Sequence, residues 1–476
     1  MPCKDALVSI AALAGALAGG RERRLNLTVG EPTVCSALQP VRARGSVLAA
    51  FSLTFLTAFG PAPDAITAQV AGLPDVGIAV ATLDGGKSEV RSYGAHFDGD
   101  SAFEIGSITK TFTATLLADM IHRGEVAPDD PIERFLPSGT TAPVYQGRHI
   151  TLADLATQSS GLPRMPTNFE PKNEADPNSD YDTAKMYAFL GSYVLPRAPG
   201  TSFEYSNYGF GLLGELLARR LKMSYADAIR TRILVPLAMS HTVIETVGAP
   251  ARTVAGHDVD GDLVPNWTQG AFEGAGAIVS TPNDMLRYAR ANLPGATGAL
   301  AQAMRDARAP KRAAMSGERI GYAWLTHLDG VTWHNGGTAG FRSFLGLDEA
   351  HHRAVFVVAN ADLDAVDAIG FHALDPAAPP PPAPVPDDVV DAATLESYVG
   401  RYRFSDASTM TVTRDARGLV AFFEPPGLRA RLHPRAPDDF AVLAPRVDVR
   451  FAGSGAATKV VLTQTGHPSD IGTRLP

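Results

Sequence analysis

Residues 103–120 read FEIGSITKTFTATLLADM. A Gly106-Ser107 pair opens a helical pattern in which Phe112, Leu116, Leu117, Met120 and Ile121 share one face, and Gly124 supplies the stop. Lys110 follows Ser107 by three residues, so on a helix the two side chains face one direction. A serine hydroxyl is a poor nucleophile until something takes its proton. A lysine takes it when a desolvated or cationic setting lowers its pKa. The free N–H groups at a helix start can in addition stabilise an oxyanion. Ser-x-x-Lys alone recurs by chance, so its meaning rests on what accompanies it.

The flanking sequence places this helix inside a larger plan. VGIAVATLDGGKSEVRSYGA holds two strand-like runs around Asp84-Gly85-Gly86, the pattern of a hairpin. Helices are expected over Thr151–Gln158, Tyr181–Tyr193, Gly209–Leu221 and Ser224–Ile233, and Thr281-Pro282-Asn283-Asp284 reads as a capped helix start. Strand patterns return after Arg319 in IGYAWLTHL, VTWHN, FRSFLGLD and RAVFVVAN. Strands at both ends of a helical middle predict an α+β fold: one antiparallel sheet flanked by helices, with a large helical subdomain. DPAAPPPPAPVPDD, Asp375 to Asp388, reads as a semi-rigid proline linker. Beyond it YVGRYRF, TMTVTR, LVAFFE, RARLHP, FAVLA, VDVRFAG and KVVLTQ predict a small antiparallel barrel or sandwich. The expected division is a 1–70 extension, a 71–374 main domain, a 375–388 linker and a 389–476 β-barrel domain.

Two further stretches accompany the serine and lysine. Tyr205-Ser206-Asn207 precedes an apolar helix, and His334-Asn335-Gly336-Gly337 ends a predicted strand. With these three motifs in order, the sequence resembles the class C β-lactamase and penicillin-binding serine hydrolase family from about Leu73 to Asn360. TLADLATQSSGLP, PGTSFEYSN and GAGAIVSTPNDM extend the likeness.

That resemblance implies a β-lactamase/transpeptidase-like fold and a role for each motif residue. Ser107 would be the acylated nucleophile, Lys110 its proton shuttle, and Tyr205 a second acid/base group, held as a phenolate by neighbouring cations. Asn207 would orient the substrate amide and Lys110. The backbone N–H groups of Ser107 and Gly337 would form the oxyanion hole, with Gly336 in the substrate-binding triplet. His334 would aid proton transfer or meet a substrate carboxylate, for which Arg342 is a second candidate. The implied partner is a small β-lactam, a peptidoglycan-type D-Ala peptide or an ester, with no cofactor and no metal. Alternatives within the resemblance are an esterase and a penicillin-binding sensor that acylates without efficient turnover. Two departures stand out: Thr109 occupies a position where Ser or Ala is preferred, and His-x-Gly replaces the Lys-Thr-Gly usual in class C β-lactamases.

Composition sets the outer limits. A 476-residue chain with 45% hydrophobic and 19% charged residues is a folded protein of more than one core, and a net charge of -8 gives no footprint for nucleic acid. Both cysteines, Cys3 and Cys35, precede the folded body, which therefore offers no thiol chemistry. No Gly-x-Ser-x-Gly elbow occurs. His351-His352 reads as a solvated turn and the GSGAA near Gly453 as no phosphate loop, while Glu104 and Glu204 read as structural. Arg42 and Arg44 before the apolar run Val47–Phe59 and the small-residue GPAPDAITAQ match an export signal, with cleavage expected between about residues 60 and 72. A rival apolar segment follows Lys4. The Val47–Phe59 run is too short for a stable membrane span, and an exported, periplasmic or secreted protein is expected. The sequence sets no oligomeric state.

Overall fold

The computed structural model describes residues 63–244, 253–384, 387–424, 428–443, 446–453, 457–464 and 469–476. These form two compact units, one ending at Pro384 and one beginning after it.

In the first unit an eight-stranded antiparallel sheet runs from the amino-terminal hairpin, Gly77–Asp84 and Lys87–Gly94, through Arg353–Ala359, Arg342–Asp348 and Thr332–Gly337 to three short strands between Arg312 and Thr326. The expected closure by both ends is seen in register: Ile78 pairs Ala359 and Asp84 pairs Arg353. Alternate side chains of one strand enter different cores. Ile78 and Val80 join Val355 and Val357 against the helix Ala365–Leu374. Ala79, Ala81 and Leu83 join Phe356 and Val358 facing the helical side. With helices on both faces the inner strands are buried continuously, which is why RAVFVVAN is apolar without alternation.

Helical spans shift by a few residues, and each shift has a cap behind it. Thr151 accepts from Asp154 N and Asp154 from Thr151 N, so the predicted Thr151–Gln158 helix starts at Leu152. Ser206 accepts from Gly209 N, starting the next long helix at Asn207 rather than Gly209. The Thr281-Pro282 start is as expected.

The helix Thr109–His122 differs more. A single apolar face was expected, yet every residue from Thr109 to Met120 is buried. Its threonines make this possible by bonding inward: Thr115 donates to Thr111 O at 2.9 Å, and Thr113 donates to Gly274 O at 2.7 Å. The helix is the axis of the unit, not a surface element.

Among the described residues no helix is long and apolar enough to cross a membrane. The signal-like apolar runs lie outside the described residues, while the expected cleavage window overlaps the helix Pro63–Gln69, whose Ile66 packs with Val70 in the sheet core. The proline stretch is tied down at its start: Gln69 Nε2 donates to Pro382 O at 2.8 Å and His372 Nδ1 to Ala378 O at 2.7 Å.

The second unit is a closed up-and-down barrel of eight strands, Gly400–Arg403 to Asp470–Arg474, shut by Tyr402 pairing Arg474. The seven anticipated strands are present. The eighth, DIGTR, escaped because it shows no apolar alternation. Met410, Val412, Leu419, Phe440, Val449, Phe451 and Val460 fill the interior.

Candidate active site

The backbone brings Ser107 to its place. Gly106 adopts φ +49, a left-handed conformation that β-carbons disfavour, and a β-carbon there would lie 2.6 Å from Gly337 N. A β-carbon on Gly336 would collide with Ile105 O. The Gly106–Ile108 turn thus rests directly on the end of strand Thr332–Gly337, setting the backbone of Ser107 beside that of Gly337. Gly336 is buried under this contact, so its missing side chain serves close packing.

Lys110 is fully buried, and its amine lies 2.9 Å from Ser107 Oγ, 2.8 Å from Asn207 Oδ1 and 2.8 Å from Ala275 O. Burial, with the Arg164 cation in second place, drives its pKa well below the usual lysine range. All three contacts are acceptors for the amine, and the lowered pKa favours its neutral form, whose lone pair is then free to take the serine proton.

Tyr205 completes the cluster. Its hydroxyl is hydrogen-bonded to Ser107, and its ring lies 4.9 Å from Lys110 Nζ and 5.1 Å from the Arg164 guanidinium carbon. Burial raises its pKa to about 12, against the opposing effects of the Ser107 bond and Arg164. The group is therefore a phenol at neutral pH, and the expected resting phenolate is not supported. Its backbone is held on both sides by Gln158: Glu204 N donates to Gln158 O at 2.7 Å and Ser206 N to Gln158 Oε1 at 2.7 Å. Gln158 is itself buried at φ +53, an uncommon conformation for a residue with a side chain.

His334 alternates with Trp333 and Asn335 along its strand and faces Tyr205, the ring centroids 6.4 Å apart. Its Nδ1 donates to Asn335 O at 2.6 Å, leaving Nε2 as an acceptor. Burial, then the neighbouring Lys110, depresses its pKa to about 3. A neutral imidazole cannot serve as the cation for a carboxylate at pH 7. Arg342 is ion-paired with Asp362, and Asp367, whose pKa burial raises to about 6, feels the same guanidinium.

The remaining residues singled out from sequence have structural partners. Glu104 Oε1 accepts from Trp267 N at 3.0 Å, Glu204 pairs with Arg197 at 2.5 Å, and His351 bonds Asp348 in the turn between two strands. No cluster of three or more metal-ligating side chains occurs among the described residues. GSGAA extends into residues outside those described. Sequence reasoning missed Arg164, Gln158 and the Ala275 carbonyl. Arg164 follows the quoted SSGLP directly, but only the fold brings it to Tyr205.

A two-faced antiparallel sheet whose strand Thr332–Gly337 ends against a serine and a buried lysine at the start of a central helix is the β-lactamase/transpeptidase-like fold. The chain belongs to the Beta-lactamase family, whose model matches residues 66–376. It is similar to the D-alanyl-D-alanine-carboxypeptidase/endopeptidase AmpH of Escherichia coli K12, 33% identical over 221 residues that cover 44% of this chain and 56% of AmpH. Penicillin-binding protein 4* of Bacillus subtilis is 27% identical over 413 residues, covering 78% of this chain and 87% of that protein. A Yersinia pestis structure titled β-lactamase/D-alanine carboxypeptidase superposes with a TM-score of 0.58 at 23% identity, covering 65% of this chain and 93% of that one. The chain thus spans little more than half the length of AmpH.

Proposed function

We propose that this protein is an acyl-serine hydrolase that opens a β-lactam or D-Ala-D-Ala-type amide through an ester on Ser107. The observation that carries the reading is the fully buried Lys110 amine, 2.9 Å from Ser107 Oγ with its other partners both acceptors. In the neutral form its lone pair takes the Ser107 proton as Oγ attacks the carbonyl carbon. The backbone N–H groups of Ser107 and Gly337 stabilise the oxygen that becomes negative. Tyr205, a phenol bonded to Ser107, is placed to give a proton to the departing nitrogen and to recover one from Lys110. Asn207 holds Lys110 with its Oδ1, and its amide nitrogen, which among the described residues donates only to Met165 Sδ at 3.8 Å, can turn to the substrate. His334 contributes a neutral acceptor. Water then cleaves the ester by the reverse sequence.

Relatives named β-lactamase and carboxypeptidase favour amides over simple esters as substrates, and export to the periplasm or medium accords with such substrates. Incubation with a fluorescent penicillin followed by intact mass spectrometry tests the reading. Wild-type protein is expected to gain one penicilloyl mass that decays with time, and Ser107→Ala none. An adduct retained in Ser107→Ala overturns the assignment of the nucleophile. A persistent adduct on the wild type indicates a penicillin-binding module instead of a hydrolase.

A further inference from the structure

We infer that Arg164 is the specificity-determining residue of this site and selects substrates that carry a carboxylate near the scissile bond. The inference rests on the acyl-serine reading and adds to it the charge class of the substrate.

The two cations expected to meet a carboxylate are not available for one. His334 is buried and neutral, with its Nδ1 proton given to Asn335 O. Arg342 is bound to Asp362 on a strand end that also faces Asp367 and Asp364, so an incoming anion would enter a region already rich in carboxyl groups. Lys110 is closed off, its three positions filled by Ser107, Asn207 and Ala275.

Arg164 differs from all three. It is exposed, and among the described residues no carboxylate forms an ion pair with it. Its guanidinium carbon lies 5.1 Å from the centroid of the Tyr205 ring, the ring whose hydroxyl reaches Ser107. Its backbone is fixed by the motif it serves: Arg164 O accepts from Asn207 N at 3.1 Å and from Tyr208 N at 3.2 Å, and Ser206 Oγ donates to Pro163 O at 2.6 Å. The aromatic face restricts the side chain before any ligand arrives, so less rotamer freedom is lost on binding than for an unrestrained surface arginine. A planar guanidinium held this way can accept a carboxylate with two parallel N–H bonds. The carboxylate can sit on the acyl side or on the leaving-group side of the reacting carbonyl, and both place an anion beside Tyr205.

The test compares Arg164→Gln with wild type on two matched pairs. One pair carries the charge on the acyl group, p-nitrophenyl monoadipate against p-nitrophenyl hexanoate. The other carries it on the leaving group, the butyryl ester of 4-hydroxybenzoic acid against that of 4-hydroxybenzamide. In one of the two pairs, Arg164→Gln is expected to lower the ratio of kcat/KM for the acid to that for its neutral partner by about 10-fold or more, the worth of one charge-assisted contact, whatever the two members lose in common. The affected pair names the side. An acid-to-neutral ratio unchanged in both pairs overturns the inference, including the case in which both members fall together because Arg164 only adjusts Lys110 and Tyr205.

Binding separates this inference from the reading beneath it. Calorimetry on Ser107→Ala with N-acetyl-D-Ala-D-Ala and its carboxamide is expected to show a preference for the acid that Arg164→Gln removes. Equal binding of the two overturns the role of Arg164. If Ser107→Ala still hydrolyses the esters, the acyl-serine reading falls, and the binding preference still decides Arg164.

Discussion

The central helix and the barrel interior are both closed to solvent, yet they are filled by opposite rules. The barrel interior is a cluster of apolar side chains, and the hydroxyl of Tyr402 within it is satisfied locally by Tyr398 O at 2.8 Å. Along the helix Thr109–His122 the buried residues include Lys110, four threonines and Asp119, each drawn into hydrogen bonds or ion pairs. A buried polar group lowers stability unless it is bonded, and a buried charge lowers it further. The charge buried in the barrel wall, Arg431, has the Asp415 carboxylate as its partner. A helix that keeps a lysine without any carboxylate partner, its amine against a serine, retains it for chemistry rather than for stability.

That contrast can be broken most sharply at the base. Lys110→Ala and Tyr205→Phe are each expected to lower the acylation rate by ~10^3- to 10^5-fold, and the double variant by little more than either, since groups acting as one unit are not additive. Stopped-flow acylation by a chromogenic cephalosporin reads this. A double loss equal to the product of the single losses would show two independent groups. In wild type the rate should rise with pH through the lowered Lys110 pKa, because only the neutral amine accepts the serine proton.

The barrel offers the complementary test. Phe451 is buried and stacks on Tyr398 with ring centroids 4.3 Å apart. Phe451→Ala is expected to destabilise that unit by about 3–5 kcal/mol while acylation by penicillin is unchanged at temperatures where the barrel stays folded. Denaturation followed by tryptophan fluorescence and by far-ultraviolet circular dichroism separates the two, since Trp267, Trp324 and Trp333 all belong to the first unit. Loss of acylation in parallel with barrel stability would refute this separation of duties.

The smallest effect concerns His334. Its folded pKa of about 3 lies below the unfolded value of about 6.5, so the folded state binds fewer protons in between. Stability from this group is complete above the unfolded pKa and is lost as pH falls toward about 3, with a slope of at most about 1.4 kcal/mol per pH unit. Urea midpoints measured from pH 7 to pH 4 should fall more steeply for wild type than for His334→Gln. Parallel curves would mean that His334 titrates alike in both states.

Much of the site was legible because its chemistry is local or motif-borne. Ser107 and Lys110 face each other by helical spacing alone, and Tyr205, Asn207 and His334 stand in short motifs beside recognisable helix and strand patterns. The sheet was legible for a similar reason, since strands at the two ends of a helical middle have few ways to pair. Other features left no local trace. Threonines at every second position from Thr109 to Thr115 put hydroxyls on two sides of the helix, and only the folded structure shows that they are buried and bonded to backbone groups.

The sequence by itself determined which groups are present and how those within one turn are arranged, because covalent spacing and backbone periodicity act over a few residues. Tertiary structure alone decided their protonation and their company. The Lys110 pKa is driven down, that of Tyr205 up and that of His334 down because packing from distant segments removes water from them. Arg342 is occupied and Arg164 is not because the fold brings Asp362, 20 residues on in the chain, against the first, while no carboxylate among the described residues pairs with the second. Desolvation and charge pairing depend on distances through space, and those are fixed only when the chain has folded.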